Sequence, residues 1–167
     1  MIVDEEFEGG GPDEGPVDTL EACFEAHGWS FERVSDDEIV ATVQGSWTQY
    51  ELRAVWRESD RVLQFLALPD IRVAADQRPR VYETIGLVNE QLWLGHFDVW
   101  IHEGLIMFRQ GLMLNGALAT PGQCEALLKA ALEACERYYQ AFQFVVWAGK
   151  ESREALASTM FETEGRA

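Results

Sequence analysis

Tyr50-Glu51-Leu52-Arg53-Ala54-Val55-Trp56-Arg57 is the stretch whose reading decides the fold. Tyr50, Leu52, Ala54 and Trp56 alternate with Glu51, Arg53, Val55 and Arg57, and a period of two belongs to a strand with one side on a core and one toward water. On either side the same period continues between turn-forming clusters, Ser35-Asp36-Asp37, Gly45-Ser46 and Glu58-Ser59-Asp60. Four strands are expected, over about 29–34, 38–44, 47–57 and 61–68, forming an antiparallel meander. Pro69 and the stretch from Arg72 to Arg80 close it.

Helical spacing flanks the meander. Before it, Leu20, Cys23, Phe24 and His27 recur at helical intervals behind Asp18, a capping residue, and Gly28 supplies a left-handed stop, so order is expected from Val17. After it, a helix is expected from Pro79 through Val81, Ile85, Val88, Leu92 and Trp93 to Gly95. Two further strands, His96 to His102 and Leu105 to Met113, are joined by Glu103-Gly104, a dipeptide suited to a tight hairpin. Thr120-Pro121-Gly122 opens the longest helix, whose apolar positions are too many for one stripe of about 100°. Either neighbours inside the fold cover both its sides, or one side meets another subunit.

The chain has 167 residues and a net charge of -16. Thirteen carboxylates and one arginine, Arg33, lie at or before Glu38, leaving the remainder near -4. So acidic a chain repels phosphate backbones, which argues against nucleic acid as a partner. Residues 1–16, with Gly9-Gly10-Gly11-Pro12 among carboxylates, read as a disordered acidic arm; 17–150 as one domain; and 151–167 as a short helix or frayed tail with Ser152 as cap and Leu156 and Met160 four apart. No apolar run approaches the roughly 20 residues that span a bilayer, and the acidic start is unlike a secretory signal, so no membrane partner and a cytoplasmic location are expected. Cys23, Cys124 and Cys135 are an odd set without metal spacing and read as buried thiols.

The order helix, meander, helix, hairpin, long helix resembles the YbjN family. The resemblance is strongest over 80–149, in Val88-Asn89-Glu90-Gln91-Leu92-Trp93, Gly95-His96-Phe97-Asp98-Val99-Trp100 and Gly104-Leu105-Ile106-Met107-Phe108-Arg109. It implies an α+β fold, an antiparallel sheet packed by three helices in the order α-ββββ-α-ββ-α, similar to type III secretion chaperones. The family is labelled a regulator of sensory transduction, which implies work through protein contacts, while no enzyme chemistry is established for it. The likeness to secretion chaperones, which hold extended partner segments as dimers, implies a homodimer.

The enzyme-like alternative rests on His96, Asp98 and His102. Alternate residues of a strand share a face, but His96 and His102 would stand roughly 20 Å apart along it, so one compact metal or ligand site cannot use both. Gly45-Ser46-Trp47 lacks the second glycine of a nucleophile elbow, and Gly9-Gly10-Gly11 lacks the Lys-Ser/Thr pair of a phosphate loop. No cofactor and no catalytic residue is assigned. Arg53, Arg57, Arg61, Arg72, Arg78 and Arg80 form one basic zone in the sequence, open to acidic segments of a partner or to the acidic arm. Six tryptophans in so small a domain cannot all be buried, and aromatic side chains supply much of the energy of interfaces. The expected partner-binding residues are Tyr50, Trp56, Trp93, Trp100, Phe108, Arg53 and Arg57, in a non-enzymatic regulatory or chaperone-like adaptor.

Overall fold

The structure, a computed structural model, describes residues 14–149, 151 and 153–157. Residues 1–13 of the expected arm, and Ser152 and Met160 of the expected tail, lie outside these. The elements run α1 (Pro16–His27), β1 (Ser30–Ser35), β2 (Glu38–Gln44), β3 (Gln49–Arg57), β4 (Val62–Leu68), a 3-10 turn (Ala75–Gln77), α2 (Arg78–Asn89), β5 (His96–Trp100), β6 (Leu105–Met113) and α3 (Pro121–Val146). All six strands form one antiparallel sheet in the order β1-β2-β3-β4-β6-β5. This is the α+β order α-ββββ-α-ββ-α expected from the sequence.

The alternation in β3 sets the two faces. Tyr50, Leu52 and Ala54 are fully buried and Trp56 nearly so, while Glu51, Arg53 and Val55 are half-buried on the opposite side. On the buried face α1 lies over β1 to β3 and α3 over β4 and β6; α2 packs at β5 and against α3. No helix covers the other face among the described residues. The width of the apolar surface of α3 follows from this arrangement: α1 and α2 both flank it, so Leu128, Cys135, Phe142 and Val145 are buried within a single chain.

Local chemistry places the helix ends. Helix α1 starts one residue before the expected Val17: Gly15 is its N-cap, and the Asp18 carboxylate accepts the Gly15 N–H at 2.8 Å. Asp18 is therefore the third residue of the first turn, and the same carboxylate holds Arg33 at 2.9 Å. Gly28 ends the helix at φ 69°. For α3, Thr120 is the N-cap, its hydroxyl accepting the Gln123 N–H at 3.1 Å. A helical turn over 153–157 buries Ala155 and Leu156.

Two boundaries differ from the sequence expectation. Helix α2 ends at Asn89, six residues short of Gly95, because the Asn89 side chain leaves the helix to bond the Phe97 backbone: Nδ2 donates to the Phe97 C=O at 3.1 Å and Oδ1 accepts the Phe97 N–H at 2.8 Å. The carboxamide thereby does what a neighbouring strand would do at the sheet edge. The β5–β6 connection is a four-residue turn, 101–104. A two-residue type I′ hairpin needs positive φ at both central residues, whereas Gly104 has φ 64° and Glu103 does not follow it. His102 consequently sits in the turn and not on β5.

Asn89→Ala should lower stability by about 2 kcal/mol or more in urea unfolding, because it leaves both backbone groups of buried Phe97 without their protein partner. Gly28→Ala and Gly95→Ala separate two glycine roles. Both need positive φ, at roughly 1–2 kcal/mol for alanine, but a Cβ at Gly28 meets open space while one at Gly95 overlaps the Phe108 ring. The Gly95 variant should be the less stable by a further ~1–3 kcal/mol.

Candidate functional site: an aromatic groove beside helix α3

With α2 ended at Asn89, residues 90–95 form a connection that runs beside the middle of α3. Between this connection, the β2–β3 turn and α3 lies a groove of about 770 Å³, lined by Trp47, Trp93, Leu94, Phe108, Ala134 and Tyr138, with Ala130, Glu133, Glu136 and Arg137 along the helix. Ala130, Ala134 and Tyr138 share a helix face at intervals of four, and the two alanines leave the space that larger side chains would fill. Helix α3 ties down both flanking segments. Glu136 accepts the Ser46 N–H at 2.7 Å, and the Tyr138 hydroxyl donates to Gln91 Oε1 at 2.9 Å. Trp47 stacks parallel to Tyr139, with centroids 6.5 Å apart. Trp93 is 98% exposed and Leu94 75%.

The polar groups of the groove are those of a rim. Arg137 lies over the Tyr138 ring at 5.3 Å. Burial raises the Tyr138 hydroxyl above the ordinary phenol range, partly offset by that guanidinium. An apolar trough bordered by charges and aromatic side chains is suited to holding another molecule's apolar surface while its rim sets orientation.

The residues expected from the sequence distribute unevenly over the molecule. Trp93 and Phe108 meet in the groove, Trp93 on its exposed connection and Phe108 buried, edge-on to Phe97 at 5.3 Å. Tyr50 and Trp56 lie on the covered face of β3. The Tyr50 hydroxyl is pushed well above the phenol range by burial and by the Glu136 carboxylate, and the Trp56 indole N–H donates to Glu58 with Arg61 over its ring. Arg53, Arg57 and Trp100 are on the open sheet face. Arg53 is paired with Glu51 at 2.8 Å and Glu38 at 3.6 Å, and Arg57 donates to Gln64 at 3.3 Å. Three other arginines of the basic zone turn elsewhere: Arg61 to Glu58, Arg72 to the Glu103 C=O, and Arg80 to the Gly149 C=O and Glu151. Tyr138, Leu94 and the two alanines were not among the expected binding residues; the interval Ala130, Ala134, Tyr138 is the signal that marks their face.

His96 and Asp98 lie on the open face of β5, Asp98 accepting the Val99 N–H at 2.8 Å, and His102 is exposed in the turn. Among the described residues no three His, Cys, Asp or Glu side chains form a group that could hold a metal ion. All three cysteines are buried and free. Burial, then Glu125, pushes the Cys23 thiol up to about 11. Burial, with smaller contributions from Cys23 and Glu125, pushes Cys124 up to about 12.

A single antiparallel sheet with helices on one face, in the order α-ββββ-α-ββ-α, defines the class as an α+β domain with a groove beside its long helix. The chain belongs to the YbjN family, described as "Putative bacterial sensory transduction regulator", whose model matches residues 16–144. That match takes in the meander as well as the region after Arg80. A solved structure described as "Crystal structure of YbjN, a putative transcription regulator from E. coli" is similar with a TM-score of 0.53 and 12% identity, over 87% of this chain and 93% of that one. At that identity the likeness is one of fold. Curated proteins give no match.

The thiols carry a pH prediction. Cys23 and Cys124 are raised from 9.0 to about 11 and about 12, so the folded state holds these protons more tightly than the unfolded state. Their contribution to stability is complete below about pH 9 and is lost as pH rises through 9–12. The urea midpoint should be level between pH 7 and 8.5 and fall at pH 10 and 11; a midpoint rising over that interval would contradict the assignment.

Proposed function

We propose that the protein is a non-enzymatic regulatory adaptor, chaperone-like in holding a segment of another protein in the groove beside α3. The observation that carries this reading is Trp93, 98% exposed beside a groove already walled by Phe108, Ala134 and Tyr138. A tryptophan and a leucine presented together at an apolar trough are the residues on which interface energy concentrates. The family description supports the regulatory part of the reading. The charge of -16 supports a partner other than nucleic acid. No helix of the described residues is long and apolar enough to cross a membrane, and the reading places the protein in the cytoplasm without a membrane partner. A homodimer completes it, with exposed Leu118 and Trp147 offering apolar area to a second copy.

The test is the full chain against Trp93→Ala/Leu94→Ser. Both side chains are exposed, so the urea midpoint should change by no more than about 0.5 kcal/mol. Affinity for a captured partner should fall at least tenfold. A partner held equally well by the variant would contradict the groove as the binding surface, and a monomer by light scattering would remove the dimer.

A further inference from the structure

Strand β5 starts at His96, paired with Arg109, while β6 continues to Met113, so Gln110 to Met113 have no strand on the β5 side among the described residues. The chain enters β5 from beside α3 through Gly95, at φ 70°, and does not run along these four residues. The ladder says which backbone groups are left over. Even-numbered residues bond toward β4 and the chain that continues it: Ile106 N–H donates to the Ile71 C=O at 3.0 Å, and Leu114 N–H to the Arg61 C=O at 2.8 Å. Residues of the other parity bond the opposite way in an antiparallel ladder. Gly111 and Met113 therefore turn their N–H and C=O outward, and both residues are exposed.

The two sides of this edge differ in chemistry. Gln110 and Leu112 are on the helix side: Gln110 Nε2 donates to the Leu127 C=O of α3 at 2.9 Å, and Leu112 is paired with buried Leu63. Arg109, Gly111 and Met113 are on the open side, where Gly111 lies opposite Gln64 and adds no side chain. Arg57 reaches Gln64 from β3, its Nε donating to Oε1 at 3.3 Å. A groove of about 930 Å³ follows the edge, lined by Leu94, Leu112 and Leu127 and by Arg57 and Arg109, with Asp60 as its one carboxylate. Neither arginine makes an ion pair among the described residues.

We propose that this edge takes an extended segment of another protein in which acidic and aliphatic residues alternate, added as a strand beside Gln110–Met113. Successive side chains of a strand point to opposite faces. Those level with Gly111 and Met113 fall on the open side, within reach of Arg57 and Arg109, where carboxylates meet two guanidinium groups that lack anions. Those level with Gln110 and Leu112 fall on the helix side, against Leu112 and Leu127, where aliphatic groups leave water. Main-chain bonds to Gly111 and Met113 supply affinity for any strand, and the alternation supplies selection. The net charge of -16 opposes an acidic segment at long range, but salt screens that field beyond about 8 Å and the two arginines dominate at contact. A second copy fits less well, because its own Arg109–Met113 brings an arginine and no carboxylate to the edge. The proposal rests on the reading of the protein as a holder of partner segments and defines that segment: the edge shares Leu94 and Ala130 with the Trp93 groove, so one segment can run from one to the other.

The probe is a synthetic decapeptide of alternating Glu and Val, with a Lys–Val peptide of the same length as control, each titrated into the full chain and read by amide exchange in NMR. Near saturation with the Glu–Val peptide, Gly111 and Met113 N–H should exchange at least tenfold more slowly than in the free chain, a protection equal to an occupancy of about nine in ten. Phe97 N–H, bonded to Asn89, should be equally protected with and without peptide and reports that the sheet is intact. The Lys–Val peptide should bind the edge at least tenfold more weakly, and Arg57→Glu/Arg109→Glu should reverse that order. Trp93→Ala should leave the protection of Gly111 and Met113 unchanged while weakening capture of a partner in the groove, so failure of the edge and failure of the groove are read separately. Loss of that protection in Trp93→Ala would place the peptide in the groove and overturn the edge. No change at Gly111 and Met113 up to about 5 mM Glu–Val peptide, or equal protection by both peptides, would also overturn the proposal. Protection in the free chain that rises with protein concentration would overturn it in favour of a second copy.

Discussion

Two hydrogen bonds from one side chain organise the half of the molecule that carries its exposed features. The Asn89 carboxamide meets both the N–H and the C=O of Phe97, and in doing so it ends α2, fixes where β5 begins and pairs the outward backbone groups of Phe97 at the sheet edge. A helix that continued to Gly95 would carry Leu92 and Trp93 on its own surface. Ended at Asn89, it releases residues 90–95 to stand beside α3, where Gln91 binds Tyr138 and Trp93 projects into solvent. Phe97, held from outside by Asn89, packs inward on Phe108, Tyr138 and Phe142.

The parts of the fold governed by local period were legible in the sequence. The alternation of Tyr50 to Arg57 located β3 and both its faces, and the clusters at Ser35-Asp36-Asp37, Gly45-Ser46 and Glu58-Ser59-Asp60 located the meander's turns. What was not legible depended on contacts between distant residues. Val88, Leu92 and Trp93 keep helical spacing, so nothing in the pattern marks Asn89 as a terminus; its partner is on the next strand. The breadth of the apolar surface of α3 left open whether a second subunit covered it, because spacing alone does not say that α1 and α2 flank it on both sides.

The site was legible to a lesser degree, for the same reason. Density of aromatic residues pointed to a groove, and Trp93 and Phe108 do meet in one. Tyr50 and Trp56 share the parity of the covered face, which an amphipathic strand reading already assigns to the core. The basic zone was contiguous only along the chain: strand alternation and turns send Arg53 and Arg57 to the open face and Arg61, Arg72 and Arg80 to separate carbonyls and carboxylates. The overhang of β6 is a difference in length between two paired strands together with one positive φ at Gly95, and neither is written in composition or period.

The clamp itself is open to direct measurement by NMR on the intact chain, through the carboxamide protons of Asn89. Held against the Phe97 C=O, the bonded proton should exchange far more slowly than that of an exposed asparagine and show a nuclear Overhauser contact to the backbone of Phe97 and Asp98. Carboxamide protons exchanging at the rate of a free side chain, while β5 remains paired with β6, would contradict the central role given to Asn89.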